Sequence, residues 1–264
     1  MRKITYTNLV NGLSAEFSSD SPTMHLKLSG FDGNSVASNA IAYTPVGLDG
    51  QKTVSCRLSP RTIVVPVEFT AKVGERYSRS GALAIWQKLQ KVFVPLHEGW
   101  LVWSDGTNSR RIKCRTTETP KLTEILPYLF TASFTLIADY PYWESCTEHN
   151  IAVTAGTSHI SIMNDCGLEV PICVDVPGDC LNAFILMSDT AGEGLAFGSK
   201  IEQGFTIDTK ECTVTLADGT LANHLLTVNS SFFKLKPGSN VLRAIGLGGG
   251  NAAIRWRELY MGVD

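Results

Sequence analysis

The chain has 264 residues, 44% of them hydrophobic and 18% charged, with a mean hydropathy of +0.05; this is apolar material for a sizeable core and about two domains of length, and it excludes disorder over most of the chain. A charged fraction below the roughly 25% of typical soluble domains, with 23 glycines and 11 prolines, points to strands and turns and excludes an all-helical bundle. The net charge of −2 conceals two unlike halves: residues 1–142 carry 16 Lys and Arg against 11 Asp and Glu, and residues 143–264 carry 7 against 14.

Neither half reaches the cationic density of a nucleic-acid binder, and no stretch approaches the roughly 18 apolar residues of a membrane span. Neither specific nucleic-acid binding nor membrane insertion is expected. The start, Met1-Arg2-Lys3-Ile4-Thr5-Tyr6, leads into polar residues and not into an apolar signal region, so the chain is expected in a cytosol. Cys56, Cys114, Cys146, Cys166, Cys173, Cys180 and Cys212 are spread over both halves, and a chain this long needs no covalent staples. Reduced, mostly buried thiols are expected.

In chain order, Thr62–Phe69 reads as a strand, with Pro66 expected at an edge or bulge because it cannot donate to a ladder. From Ser80 onward, Leu83, Trp86, Leu89, Val92, Phe93 and Leu96 recur at helical spacing, with Pro95 marking the end. Strands follow at 100–103, 111–115 and 128–137. The first domain, residues 1–142, is therefore expected to be a β-sheet or split-barrel-like domain with one packed helix. Tyr140, Pro141, Tyr142 and Trp143 mark its boundary.

Beyond that boundary, short strands are expected at 151–154, 159–163, 170–176, 181–187, 194–197, 205–208, 211–216, 225–228, 231–235, 240–245 and 252–260. Turn signals such as Pro177-Gly178-Asp179, Asp218-Gly219 and Pro237-Gly238 separate them. That rhythm predicts an antiparallel β-sandwich over residues 143–264 and makes the whole chain mainly β. The run Gly246-Leu247-Gly248-Gly249-Gly250 lies between strands, with no helix to receive a phosphate, and reads as a long hairpin tip.

Catalytic signatures are scarce. The chain has no nucleophile elbow, no His-Glu-x-x-His helix, no Walker loop and no Cys-x-x-Cys pair. Asp165, Cys166, Cys173 and Cys180, with His159 nearby, lack the close pairing that tetrahedral zinc requires, and Cys173 reads as a small apolar residue on a strand face. Glu144, Glu148 and Glu258 are carboxylates that nothing groups into an acid and a base. No catalytic, metal or cofactor residues are assigned.

Two surface features remain. Ile112 and Cys114 alternate with Arg111, Lys113 and Arg115, so the cations form a solvated strand face or one that meets acidic residues of a neighbouring subunit. Trp256 and Tyr260, with Trp143, have the ring faces that stack on sugars. Ile254, Trp256, Glu258 and Tyr260 share one face by period two, and Glu258 leaves that face open between core and binding site.

The order of parts resembles the distal tail proteins of long, non-contractile-tailed bacteriophages, the siphovirus tail components. The residues that carry the resemblance are the loop Val46–Gln51, the strand Arg61–Phe69, the Arg79-led helix, the strands Gly99–Trp103 and Arg111–Cys114, and the close Phe134–Trp143 with its Asp139-Tyr140-Pro141-Tyr142-Trp143. In the second half they are Ile162–Gly167, Val170-Pro171-Ile172, Ile207-Asp208-Thr209 and Phe233–Asn240. Asn164 and Gly167 are separated by two residues where the family more often has one.

The resemblance implies a galectin-like or carbohydrate-module-like sandwich at the C-terminus and a structural, non-enzymatic role. It implies a hexameric ring at the virion tail tip, assembled in the host cytoplasm, with the tail tube protein, the tail-tip hub protein, the tape measure protein and a receptor-binding protein as partners. Tyr43, Val46 and Leu48, exposed apolar residues on a long connection, are the expected inter-subunit contacts. The alternative is a carbohydrate-binding module that meets the host envelope through Trp256 and Tyr260.

Overall fold

The computed structural model describes residues 1–44, 46, 49–74, 76–154, 159–178, 184–247 and 251–263. They form two units: one runs from Met1 to Cys146 and takes back the chain from Met261 onward, and the other is Thr147–Tyr260.

The first unit contains β1 (Lys3–Asn8), β2 (Ser14–Ser18), β3 (Met24–Leu26), β4 (Ser38–Tyr43), β5 (Lys52–Leu58), β6 (Arg61–Thr70), the two-residue strands β7 (Lys72–Val73) and β8 (Arg76–Tyr77), α1 (Arg79–Val92), β9 (Glu98–Ser104), β10 (Ser109–Thr116), β11 (Leu122–Leu126), β12 (Leu129–Ala138) and β13 (Trp143–Ser145). Seven strands run in the order β12-β6-β3-β2-β1-β9-β10, and β10 returns to β12 through Arg115↔Ile137 and Thr116↔Leu136. The sheet thus closes into a barrel, which removes open edges. Period-two alternation turns Ile4 and Tyr6, Ile63 to Phe69, Leu101 and Trp103, Ile112 and Cys114, and Phe130 to Leu136 inward, and all of these inward residues are buried.

Helix α1 begins at Ser78, whose hydroxyl accepts the Gly81 amide at 3.1 Å. Its buried face, Ala82, Trp86, Leu89 and Val92, meets the barrel's aromatic residues: Trp86 stacks on Phe69 at 6.1 Å, and the following Phe93 on Phe134 at 3.9 Å and Tyr6 at 4.7 Å. The helix stops at Val92, short of the expected Leu96. Pro95 bars its predecessor from helical geometry, and Leu96 turns to φ +74° with its side chain in solvent. The carbonyls left over at this end are met by the β1–β2 turn: Asn11 Nδ2 donates to Lys91 O at 2.8 Å and the buried Asn8 Nδ2 to Val92 O at 2.9 Å.

Pro66 lies in the interior strand β6, paired with Ser133, and not on an edge strand. Its carbonyl still accepts the Lys27 amide at 3.0 Å, and the next ladder bonds on that side are those between Asp32 and Val64. The missing donor thus falls where the ladder with β3 is interrupted. The segment 143–146, expected in the second domain, packs in the first unit because the Trp143 indole is buried and β13 pairs with β10.

The second unit contains β14 (His149–Val153), β15 (Ile160–Asn164), β16 (Ile172–Val176), β17 (Ile185–Ser188), β18 (Glu193–Ala196), β19 (Phe205–Asp208), β20 (Thr213–Leu216), β21 (Gly238–Ile245) and β22 (Ala252–Trp256). Two antiparallel sheets, β14-β22-β16-β19-β20 and β15-β21-β17-β18, turn Ile172, Val174, Ile207, Ile254, Leu186 and Leu242 inward. Phe184, at the start of one sheet, meets Phe205 of the other edge-on at 5.4 Å, so the arrangement is a sandwich.

Three expectations need correction here. Segments 225–228 and 231–235 form isolated bridges, not strands, because Thr227 and Ser231 spend their amides capping the β18 edge at Ala196 O and Gly194 O. The chain after Gly246 joins β21 to β22 in the other sheet and is no hairpin tip, although 248–250 themselves, like 181–183 of the expected strand 181–187, lie outside the described residues. The cysteines are also less buried than expected: Cys114 and Cys166 are buried, Cys146 and Cys173 half-buried, and Cys56 and Cys212 exposed, while Cys180 lies outside the described residues. Burial pushes the Cys114 thiol far up, so alkylation of the native chain should label Cys56 and Cys212 first and Cys114 only on unfolding, as a mass-spectrometric time course would show.

Candidate functional site

Among the described residues β4 and β5 pair only with each other, from Ser38↔Leu58 to Tyr43↔Lys52, with a bulge that leaves Val54 unopposed. All of β4 is exposed and β5 is exposed or half-buried. A two-stranded ribbon is at best marginal in water, yet this arm carries Ile41, Tyr43 and Val54 at 64%, 50% and 67% exposure, with Val46 fully exposed at its tip. Exposed apolar side chains grouped in this way mark a contact surface. Of the expected contact residues, Tyr43 ends β4 and Val46 follows it, both exposed, and Leu48 lies outside the described residues. Ile41 and Val54 were missed, and their signal was the apolar alternation that flanks the loop on both sides.

The arm rises from two roots. In the first, Asp32 exchanges 3.2 Å backbone bonds with Val64, and its Oδ1 accepts the amides of Asn34 at 3.1 Å and Ser35 at 2.9 Å. These amides, chiefly that of Ser35, and the nearby Arg61 hold its carboxyl below the usual range. In the second, the Ser59 amide donates to Ala37 O at 2.8 Å and Arg61 opens β6. Arg61 is fully buried. Its Nε donates to Pro141 O at 2.7 Å, one Nη to Gly33 O at 2.8 Å and the other to Met261 O at 2.6 Å. Trp143 Nε1 donates to the same Gly33 carbonyl at 2.8 Å.

The cations of β10 find partners within the first unit. Lys113 pairs with Glu98 at 2.6 Å, Arg111 with Glu144 at 3.3 Å, and Arg115 with Asp139, and Arg111 also lies 4.2 Å over the Trp100 ring. Ile112 and Cys114 point inward as alternation requires. A 520 Å³ groove over β6 and β12 is lined by Thr123, Thr131, Ser133 and Thr135, with Lys27, Lys121 and the lone carboxylate Glu118. It brings no acid and base together.

In the second unit Trp256 is 7% exposed and stacks on His149 at 5.2 Å, its register partner on β14, so its ring is packed away and not held out as a platform. Tyr260 donates its hydroxyl to Glu258, which also lies 3.4 Å from His149. Glu148 pairs with Arg257 at 3.2 Å, and Glu144 with Arg111, so the three carboxylates are separately engaged. Cys173 sits half-buried on the outward face of β16, with Arg255 Nη2 at 3.5 Å; burial and then Asp175 push its thiol up to about 11. Among the described residues no three His, Cys, Asp or Glu side chains converge on a metal position, and no helix is long and apolar enough to cross a membrane.

The turn after β15 is organised by Asn164. Its buried side chain donates to Leu168 O at 2.9 Å and to Leu235 O and Lys236 O at 3.2 Å, and accepts from the Cys166 amide at 3.3 Å and thiol at 2.9 Å. The two residues between Asn164 and Gly167 are accommodated in this knot.

Residues 185–260 match the family model of the siphovirus-type tail component, C-terminal domain. The match supports, over that segment, the resemblance read from the sequence. The crystal structure of the Dit protein of phage SPP1 aligns over 97% of this chain and 99% of its own, at 14% identity and a TM-score of 0.72. A chain of the phage P2 baseplate in its activated conformation with Ca aligns over 100% of both at 11% identity and a TM-score of 0.58, and its Sr counterpart at 12% and 0.57. At these identities the likeness is one of fold. No curated protein matches the chain in sequence.

Proposed function

We propose that this chain is a structural distal tail protein of a long-tailed bacteriophage. Copies of it close a ring of six that joins the tail tube protein to the tail-tip hub protein, the tape measure protein and a receptor-binding protein, in virions assembled in the host cytoplasm. The observation that carries this reading is the β4–β5 arm, a two-stranded ribbon with Ile41, Tyr43, Val46 and Val54 exposed. A head-to-tail ring needs two different surfaces on each copy, and Tyr43, Val46 and Leu48, joined by Ile41 and Val54, form one of them. The phage SPP1 Dit protein is described as a paradigm of the hub adsorption apparatus in phages that infect Gram-positive bacteria, which supports the same role here. The role requires no catalysis, and a ring that passes DNA must not grip phosphate. The outward cations of β10, each matched by a carboxylate, suit that requirement.

Light scattering over a concentration series tests the reading. The wild type should shift from monomer toward hexamer, alone or with tail tube protein added. Ile41→Asp and Val54→Asp should remain monomeric while unfolding at wild-type temperature, since exposed substitutions cost about 0.5 kcal/mol or less. A wild type that stays monomeric even with tail tube protein, or variants that assemble normally, would refute it.

A further inference from the structure

The chain leaves the second unit at Tyr260, and its next three residues bond to both roots of the arm. At the first root Asn34 Oδ1 accepts the Val263 amide at 2.7 Å, and Val263 also crowds Gly33, where a Cβ would lie 2.8 Å from its methyl group. At the second root Arg61 takes the Met261 carbonyl at 2.6 Å, and Arg110 takes the Gly262 carbonyl. Gly262 is pressed so closely on Asn34 that an added Cβ would collide with the carboxamide. Met261 and Val263 thus spend a carbonyl and an amide on the base of the ribbon, and the Gly262 carbonyl ties the same stretch to Arg110 of β10.

We propose that Met261–Val263 is a latch that sets the pose of the β4–β5 arm. The first root is a short irregular segment, Asp32–Ala37, whose own bonds are an Asx turn and one bridge. Such segments open at low free energy unless they are tied elsewhere. With the latch seated, Gly33 is held through Arg61 and Asn34 through Val263, so the arm leaves the barrel in one direction. The latch lies within the first unit, and the proposal rests on the reading of the arm given above.

The test uses the full chain with Gly262→Ala, which expels the latch sterically, and Asn34→Ala, which removes the Val263 acceptor and leaves Arg61 intact. Hydrogen exchange should show the amides of Val263, Ser35 and Ser59 exchanging roughly tenfold faster in both variants, with amides inside β6 and β16 unchanged. The concentration for half-assembly should rise by a similar factor. If Val263 is freed while Ser35 and Ser59 keep their protection, or if assembly is unaltered, the latch is refuted. Ile41→Asp is the control on the arm itself. It should abolish assembly with root exchange at wild-type rates, and if it assembles normally the arm reading fails while the latch is still judged on the exchange data.

Discussion

Replacing Arg61 with Ala should destabilise the first unit by about 3–5 kcal/mol, the range seen when one partner of a buried charged network is removed. The guanidinium is fully buried and its three hydrogen bonds end on backbone carbonyls, those of Gly33, Pro141 and Met261. No side-chain substitution removes those acceptors; Gly33 O keeps its bond from Trp143 Nε1, while the Pro141 and Met261 carbonyls lose this donor in a buried site, at a cost of about 1–3 kcal/mol for each unsatisfied group. Arg61→Met, which fills the volume without donating, should therefore recover little. Arg61→Lys should recover part, since an ammonium donates but cannot reproduce the planar fork. Urea unfolding resolved by unit through hydrogen exchange would register the change in the barrel amides while those of Thr147–Tyr260 hold. A loss below about 1 kcal/mol for Arg61→Ala would contradict the account, because single ordinary hydrogen bonds already reach that value.

Arg61 also shows where the sequence ran out. An arginine that opens a strand reads as a surface residue, and its burial depends on carbonyls 28, 80 and 200 residues away, which no local pattern encodes. The same holds for barrel closure, which rests on two register pairs between β10 and β12. Local periodicity served well where one face was buried: the inward Ile112 and Cys114, the strand over Thr62–Phe69 and the helix from Ser80 onward were all legible. It served poorly at edges. Segments 225–228 and 231–235 are apolar enough to resemble strands, but Thr227 and Ser231 are committed to capping β18. The glycine run separates two strands that would make a hairpin if they shared a sheet. Cys173 is less buried than expected because Ile172, Val174 and Val176 claim the inward face.

The exposed apolar residues of the β4–β5 ribbon were half legible for a related reason. Tyr43 and Val46 stood out because apolar residues in a turn-rich loop have no local explanation. Ile41 and Val54 resembled ordinary strand residues, and only the pairing of β4 with β5 alone shows that they have no core to enter. Trp256 is the converse case. Its exposure on a mixed face was plausible until the register set His149 directly across from it.

In the second unit the largest single effect should come from Asn164→Ala, a loss of about 3 kcal/mol confined to that unit. The Asn164 amide group bonds to three carbonyls from two separate segments, Leu168 on its own turn and Leu235 and Lys236 on the segment that leads into β21. Its oxygen holds the Cys166 amide and thiol. Alanine deletes the donors and the acceptor together, and the unsatisfied backbone groups lie in buried surroundings, where each is costly. Asp at this position keeps the acceptor but faces three carbonyls with a carboxylate, so Asn164→Asp should be at least as damaging near neutral pH and should improve as acid neutralises the carboxyl. Gln reaches too far by one methylene for a site this closely packed. Thermal unfolding resolved by unit should show the Thr147–Tyr260 transition falling while the barrel transition stays in place. If both fell together, the two units would unfold as one cooperative body, and the confinement argued here would be wrong.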